Sequence, residues 1–131
     1  GYRYNLFNFK KDSSTRFVLD VSAGLIQEEE LLNRDNLPQL EKYYTNYSRS
    51  IFSLVGIVEI KDKFSIVNTT YFQQHIKNSN DYRLLNETNL MVSINQWLSL
   101  SIDLEYRFDS DPPSILINRD FNTNLGLVFN L

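Results

Sequence analysis

From Leu98 to Asp109 the chain alternates at every residue. Leu98, Leu100, Ile102, Leu104, Tyr106 and Phe108 share one phase, and Ser99, Ser101, Asp103, Glu105, Arg107 and Asp109 share the other. Successive side chains of a strand point to opposite sides, so this stretch predicts a strand with one apolar and one charged face. Six more extended runs accompany it. The first is Tyr2–Phe9. The second starts at Arg16, with Phe17, Leu19, Val21, Ala23 and Leu25 in phase. The third, Tyr44 to Ile60, is apolar in both phases at IFSLVGIV. The fourth, Phe64 to His75, has an unclear phase, and a bulge is expected in it. In the fifth, Tyr82, Leu84, Thr88, Leu90, Val92 and Ile94 share a phase. In the last, Phe121, Thr123, Leu125, Leu127, Phe129 and Leu131 oppose Asn122, Asn124, Gly126, Val128 and Asn130.

The interruptions are KKDSST, the long polar IQEEELLNRDNLPQLEK, a tight turn at Lys61–Lys63, KNSND, a short turn at Asn95–Gln96, and DSDPPSILINR. The EEELL portion predicts a helical turn. Short runs with Gly, Pro and Asn punctuation predict an all-β, antiparallel up-and-down meander forming a single domain over residues 1–131.

Alternation alone does not say which face is inside. In a water-soluble sheet the apolar face is the core, whereas in a transmembrane barrel it meets lipid and the polar face lines the lumen. Connection length favours the second arrangement: counted from the C-terminus, connections run long, short, medium, short, long, short, as in outer-membrane barrels with long extracellular loops and short periplasmic turns. That topology gathers Tyr43, Tyr44, Tyr47, Tyr71, Phe72, Tyr82, Tyr106, Phe108 and Phe121 at one end, and Phe9, Phe17, Phe64, Trp97 and Phe129 at the other. Two aromatic girdles suit two headgroup layers. All six lysines (Lys10, Lys11, Lys42, Lys61, Lys63 and Lys77) fall in turns or at strand ends. The eleven residues Leu98–Phe108, tilted by about 45°, would span roughly 25 Å.

Composition narrows the function classes. A net charge of −3 and a pI near 5.1 give no basic footprint for nucleic acid. No apolar run is long enough for a transmembrane helix, which says nothing against a barrel. No cysteine is present for disulfides or Cys-based zinc sites. No basic and apolar leader stands at Gly1, so a signal peptide is expected to lie upstream or to have been removed.

The last two runs carry a resemblance. An alternating strand ends in Tyr106-Arg107-Phe108-Asp109, followed by Pro112-Pro113, a short loop to Asp120 and an alternating final strand. Over about 35 residues this resembles the C-terminal hairpin of the YdiY-like, salt-induced outer-membrane protein family. The ending Asn124, Gly126, Leu127, Phe129, Leu131 is also similar to the C-terminal signal read by the barrel-assembly machinery, with Leu131 where an aromatic is more usual. The resemblance implies an outer-membrane β-barrel of a Gram-negative bacterium, of uncharacterised function, and no catalytic residues. Members are generally longer, and single-chain bacterial barrels have an even strand number. Residues 1–131 are therefore expected to be the C-terminal part of a longer barrel.

Candidate chemistry is sparse. Arg83, Glu87, Asp103, Glu105 and Arg107 are expected on one face of two paired strands, extended by Asn122 and Asn124, as a lumen-facing polar network. Such a network braces a narrow barrel, or sets ion preference in a wide one. His75, the sole histidine, with Ser65 or Ser79 nearby in sequence, is read as a rim residue and not as a hydrolase centre. Glu28-Glu29-Glu30 with Asp35 reads as a solvated acidic loop, with no metal-loop spacing. Pro112-Pro113 stiffens a loop. No cofactor and no enzymatic activity are expected. The expected partners are the lipid bilayer, lipopolysaccharide, the barrel-assembly machinery and other envelope proteins. The expected role is that of an envelope structural element, a small-solute pore or a scaffold for partners, and the residues do not choose among the three. The alternative is a soluble lipocalin-like barrel enclosing an apolar ligand, and a hydrolase using His75 is a third class.

Overall fold

The computed structural model describes residues 1–31, 44–112 and 116–129. They form one seven-stranded sheet in sequence order: β1 (Tyr2–Lys10), β2 (Thr15–Leu31), β3 (Tyr44–Ile60), β4 (Phe64–His75), β5 (Asn78–Ser93), β6 (Leu98–Asp109) and β7 (Arg119–Phe129). Every neighbouring pair is antiparallel. The meander expected from the alternation is therefore present. Among the described residues β1 and β7 pair on one side only.

Two expected breaks are strand instead. Glu28 to Leu31 continues β2, paired with Tyr44–Tyr47, where EEELL had predicted a helical turn. Cross-strand pairing overrides a weak local helical preference there. Pro38, Asp35 and Tyr43 lie outside the described residues. KNSND is largely absorbed into β5, which leaves Ile76 and Lys77 as the connection from β4. The medium-length connection is thus a short one. The bulge expected in β4 sits at its end, between Gln74 and His75 against β5, and a second interrupts β1 between Asn5 and Phe7.

Three connections lie at one end of the sheet, called the turn end: 11–14, 61–63 and 94–97. They are stitched by backbone. Lys61 N–H donates to Ser14 C=O at 2.7 Å, and Ser93 N–H donates to Lys63 C=O at 2.8 Å. Asp62 adopts φ 61°, a left-handed conformation that Asp tolerates in a tight turn. Asp12 closes the first turn by accepting from the Ser14 N–H (2.8 Å), the Ser14 hydroxyl (2.6 Å) and the Thr15 N–H (2.8 Å). The opposite, loop end holds the 32–43 and 110–118 connections and the Ile76–Lys77 turn.

Candidate functional site

Burial is inverted relative to a soluble sheet. Among the described residues the buried apolar side chain is Val18, whereas Asp20, Arg49, Asp81 and Ser99 are buried and polar. Large apolar side chains are exposed along β1, β2, β3, β6 and β7; Leu25 is 76% and Leu125 72% exposed. Strand register explains the division, because directly paired residues share a face. One face carries Arg3, Asp20, Ser53, Gln73, Arg83, Glu87, Asp103, Glu105, Arg107, Asp109, Asp120, Asn122 and Asn124. The other carries apolar-phase stretches of nine or eleven residues: Phe17–Leu25, Phe52–Ile60, Phe64–Phe72, Tyr82–Val92, Leu98–Phe108 and Phe121–Phe129. Beyond Ile26 on β2 and before Ile51 on β3, residues of both phases are polar (Gln27, Glu28, Glu29, Asn46, Ser48).

At the loop end the polar face holds a charge network. Arg49 on β3, 1% exposed, forms a bidentate pair with Asp81 on β5 (2.8 and 3.0 Å) and donates through Nε to Glu28 on β2 at 2.9 Å. Arg83 on β5 binds the other Glu28 oxygen at 2.5 Å and Asp109 on β6 at 2.7 Å. Two guanidiniums and three carboxylates thus tie β2, β3, β5 and β6. The Arg49 guanidinium also sits 5.3 Å from the centre of the Tyr47 ring, which meets His75 edge-on at 5.1 Å. The ring geometry puts Tyr47 on the polar face, and pairing with Ser53 puts Tyr71 there too. Neither belongs to the aromatic girdle expected from the sequence. Phe72, Tyr82 and Phe108 do form a row on the apolar face, with centroids 5.9 and 5.6 Å apart. At the turn end Phe7 stacks on Phe9 at 6.0 Å and Trp97 on Phe129 at 6.3 Å.

The seven polar residues singled out in the sequence all fall on the polar face, and they divide into two groups. Arg83 joins the loop-end network. Arg107 pairs with Glu105 at 2.7 Å, Asn122 reaches Glu105 at 3.4 Å, and Asn124 lies opposite Asp103, which accepts from Asn89. Glu87 faces Glu105 across the β5–β6 ladder. A cavity of about 520 Å³ opens over Glu87, Asp103, Glu105, Asn122 and Asn124. Glu28, Arg49, Asp81 and Asp109 are the members that sequence reading missed. Glu28 belongs to a run that reads as a solvated acidic loop, and Arg49 stands before the Ile51–Val58 stretch, where residues of both phases are polar and alternation gives no face. Phase assignment through β2 and β3 would have put Arg49 and Glu28 on one face.

His75 ends β4 opposite Arg49, and its Nδ1 is buried without a hydrogen-bond partner among the described residues. Ser65 lies at the other end of β4, so it is no nucleophile for this imidazole. Ser79 contributes its backbone carbonyl to Gln74. No group of three metal-ligating side chains converges among the described residues.

Among the described residues the apolar face carries a hydrogen-bonded polar quartet. Asn68 and Thr70 on β4 meet Thr88 and Asn86 on β5. Each asparagine amide donates to a threonine hydroxyl at 2.7 Å and to the other asparagine's carbonyl at 3.3–3.4 Å. Each threonine hydroxyl in turn donates to the asparagine of its own strand at 3.3 Å. All six side-chain donors are used inside the quartet.

This is an all-β protein made of one inside-out meander: polar groups are buried and paired, and apolar ones are exposed. The chain belongs to the DUF481 family, proteins of unknown function, whose model matches residues 1–131. No curated protein and no solved structure matches it.

Proposed function

We propose that this sheet is the wall of an outer-membrane β-barrel, with the apolar face against lipid and the polar face lining the lumen. The observation that carries the reading is the inverted burial, four polar residues buried against one apolar among those described. The apolar-phase stretches of nine or eleven residues match the about 9–11 residues a tilted strand needs to cross a bilayer. The polar tips of β2 and β3 then stand above the membrane at the loop end.

Strand-skipping ion pairs support curvature toward the polar face. In a flat sheet, three strand spacings and four residues along the strand would separate the Cα atoms of Arg83 and Glu28 by about 19 Å. Two extended side chains and a hydrogen bond reach roughly 14 Å. A lipocalin-like carrier would need the opposite curvature, with the apolar face inside. β1 and β7 both run from loop end to turn end, so an all-antiparallel closure takes an odd number of further strands between them. That parity fits the reading of 1–131 as part of a longer barrel.

The loop-end network occupies the lumen where a solute would enter, which favours an envelope structural element or partner scaffold over an open pore. The bilayer, lipopolysaccharide and the barrel-assembly machinery are the partners this reading entails. The experiment is a pair of charge insertions on β6. Ile102→Arg, on the apolar face, should cost about 2–4 kcal/mol of stability in bilayers, and Ser101→Arg, on the polar face, much less. Heat-modifiable gel mobility after refolding into lipid vesicles reads both. Equal tolerance of the two variants, or a compact monomer in detergent-free buffer, would sink the membrane orientation.

A further inference from the structure

Charge is segregated along the strands. At the turn end five cations, Lys10, Lys11, Arg16, Lys61 and Lys63, stand against three carboxylates, Asp12, Glu59 and Asp62. That is a local excess of two positive charges in a chain of net charge −3. Four of them, Lys10, Arg16, Lys61 and Lys63, line a cavity of about 470 Å³ with Ser65 and Ser93, against two of the carboxylates, Glu59 and Asp62. Arg16 is held loosely by Glu59, at 3.4 Å with both side chains exposed. Lys10, Lys61 and Lys63 have no carboxylate partner among the described residues. The cradle is also preformed: backbone hydrogen bonds fix the 11–14 turn to the 61–63 turn, and the latter to the end of β5. Unpaired ammonium groups on a rigid frame, with hydroxyl donors beside them, are what an oxyanion needs.

We propose that the turn end binds a phosphate-bearing anion between Lys10, Arg16, Lys61 and Lys63. The anion is an anionic phospholipid headgroup or a free phosphate; both present the same oxygens to the same cations. The lipid source rests on the membrane reading and on a headgroup folding over the turn-end rim, because Arg16, Ser65 and Ser93 lie on the polar face. The free-phosphate source needs neither.

Trp97, the sole tryptophan, is 56% exposed at this same end and reports on it. The full chain is refolded into zwitterionic micelles, and its fluorescence is followed on adding tail-brominated phosphatidylglycerol or phosphatidylcholine. Phosphatidylglycerol should quench at lower mole fraction, and the preference should fall about fivefold for each lysine removed in Lys61→Gln and Lys63→Gln. Lys77→Gln, at the loop end, should leave it unchanged. In parallel, inorganic phosphate is compared with chloride at equal ionic strength by the unfolding midpoint. A lysine-dependent rise with phosphate and no lipid preference assigns the site to a soluble anion. Quenching without headgroup preference together with no phosphate effect overturns the proposal. If the chain instead folds as a monomer in plain buffer, the membrane reading alone fails. Calorimetric titration with inorganic phosphate in that buffer then decides the anion site, and absence of lysine-dependent heat overturns it.

Discussion

The two ends of the sheet are held together by different chemistry. At the turn end, neighbouring hairpins touch through backbone amides and carbonyls; Lys10, Lys61 and Lys63 have no carboxylate partner among the described residues, and Arg16 has only its loose pair with Glu59. At the loop end, side chains carry the connection: Arg49 and Arg83 share Glu28. Arg49 reaches over β4 to Asp81, Arg83 reaches over β3 and β4 to Glu28, and Arg83 also pairs with Asp109 on the neighbouring strand. Backbone stitching needs short connections of fixed geometry, and it leaves charge free for a ligand. Side-chain bridging tolerates long connections, but it consumes every charge it uses. The same fold can therefore present an open cationic rim at one end and an internally paired one at the other.

The largest expected effect breaks the loop end. Arg49→Ala leaves Asp81 and Glu28 facing each other with one guanidinium removed, and should cost about 3–5 kcal/mol by denaturant unfolding in micelles. A sharper comparison comes from two double-mutant cycles. Arg83 and Asp109, three-quarters buried, should couple by about 0.5–3 kcal/mol, whereas Arg16 and Glu59, both exposed, should couple by about 0–1 kcal/mol. Equal coupling energies would erase the contrast between the ends.

The smallest effect is a pH dependence at the turn end. The Ser14 hydroxyl first, and then the Ser14 amide, hold the Asp12 carboxyl below the ordinary carboxylate range. A depressed folded pKa contributes stability above the unfolded value of about 3.9, and that stability is lost as pH falls through the lower folded value. The difference in unfolding midpoint between the wild type and Asp12→Ala should therefore be constant near neutrality and shrink in acid. A difference that grows in acid would contradict the assignment.

Much of this contrast was open to a reader of the sequence, and part of it was not. β6 and β7 were legible because each keeps strict alternation, and the 61–63 turn because its polar residues interrupt two apolar runs. The polar tips of β2 and β3 were not, since alternation of hydrophobicity vanishes where both faces are wet. β4 had no clear phase because Asn68 and Thr70 stand on its apolar face while Val67 and Tyr71 stand on its polar one. Tyr47 and Tyr71 were assigned to the girdle by their height along the strands, whereas their face is set by pairing. The charge network was hidden for a different reason. Periodicity reports which residues share a face, but a bridge over one or two strands depends on how far that face bends.

The Asn68, Thr70, Asn86 and Thr88 quartet belongs to a single hairpin, its members at most 20 residues apart in sequence. Closing so short a loop is entropically inexpensive. The six donors find their acceptors as soon as β4 meets β5, before any other strand has to arrive. On the membrane reading, this hairpin would meet lipid with its outward polar groups already satisfied. On that reading it is the piece of the sheet whose transfer from water to lipid would leave the fewest polar groups unsatisfied.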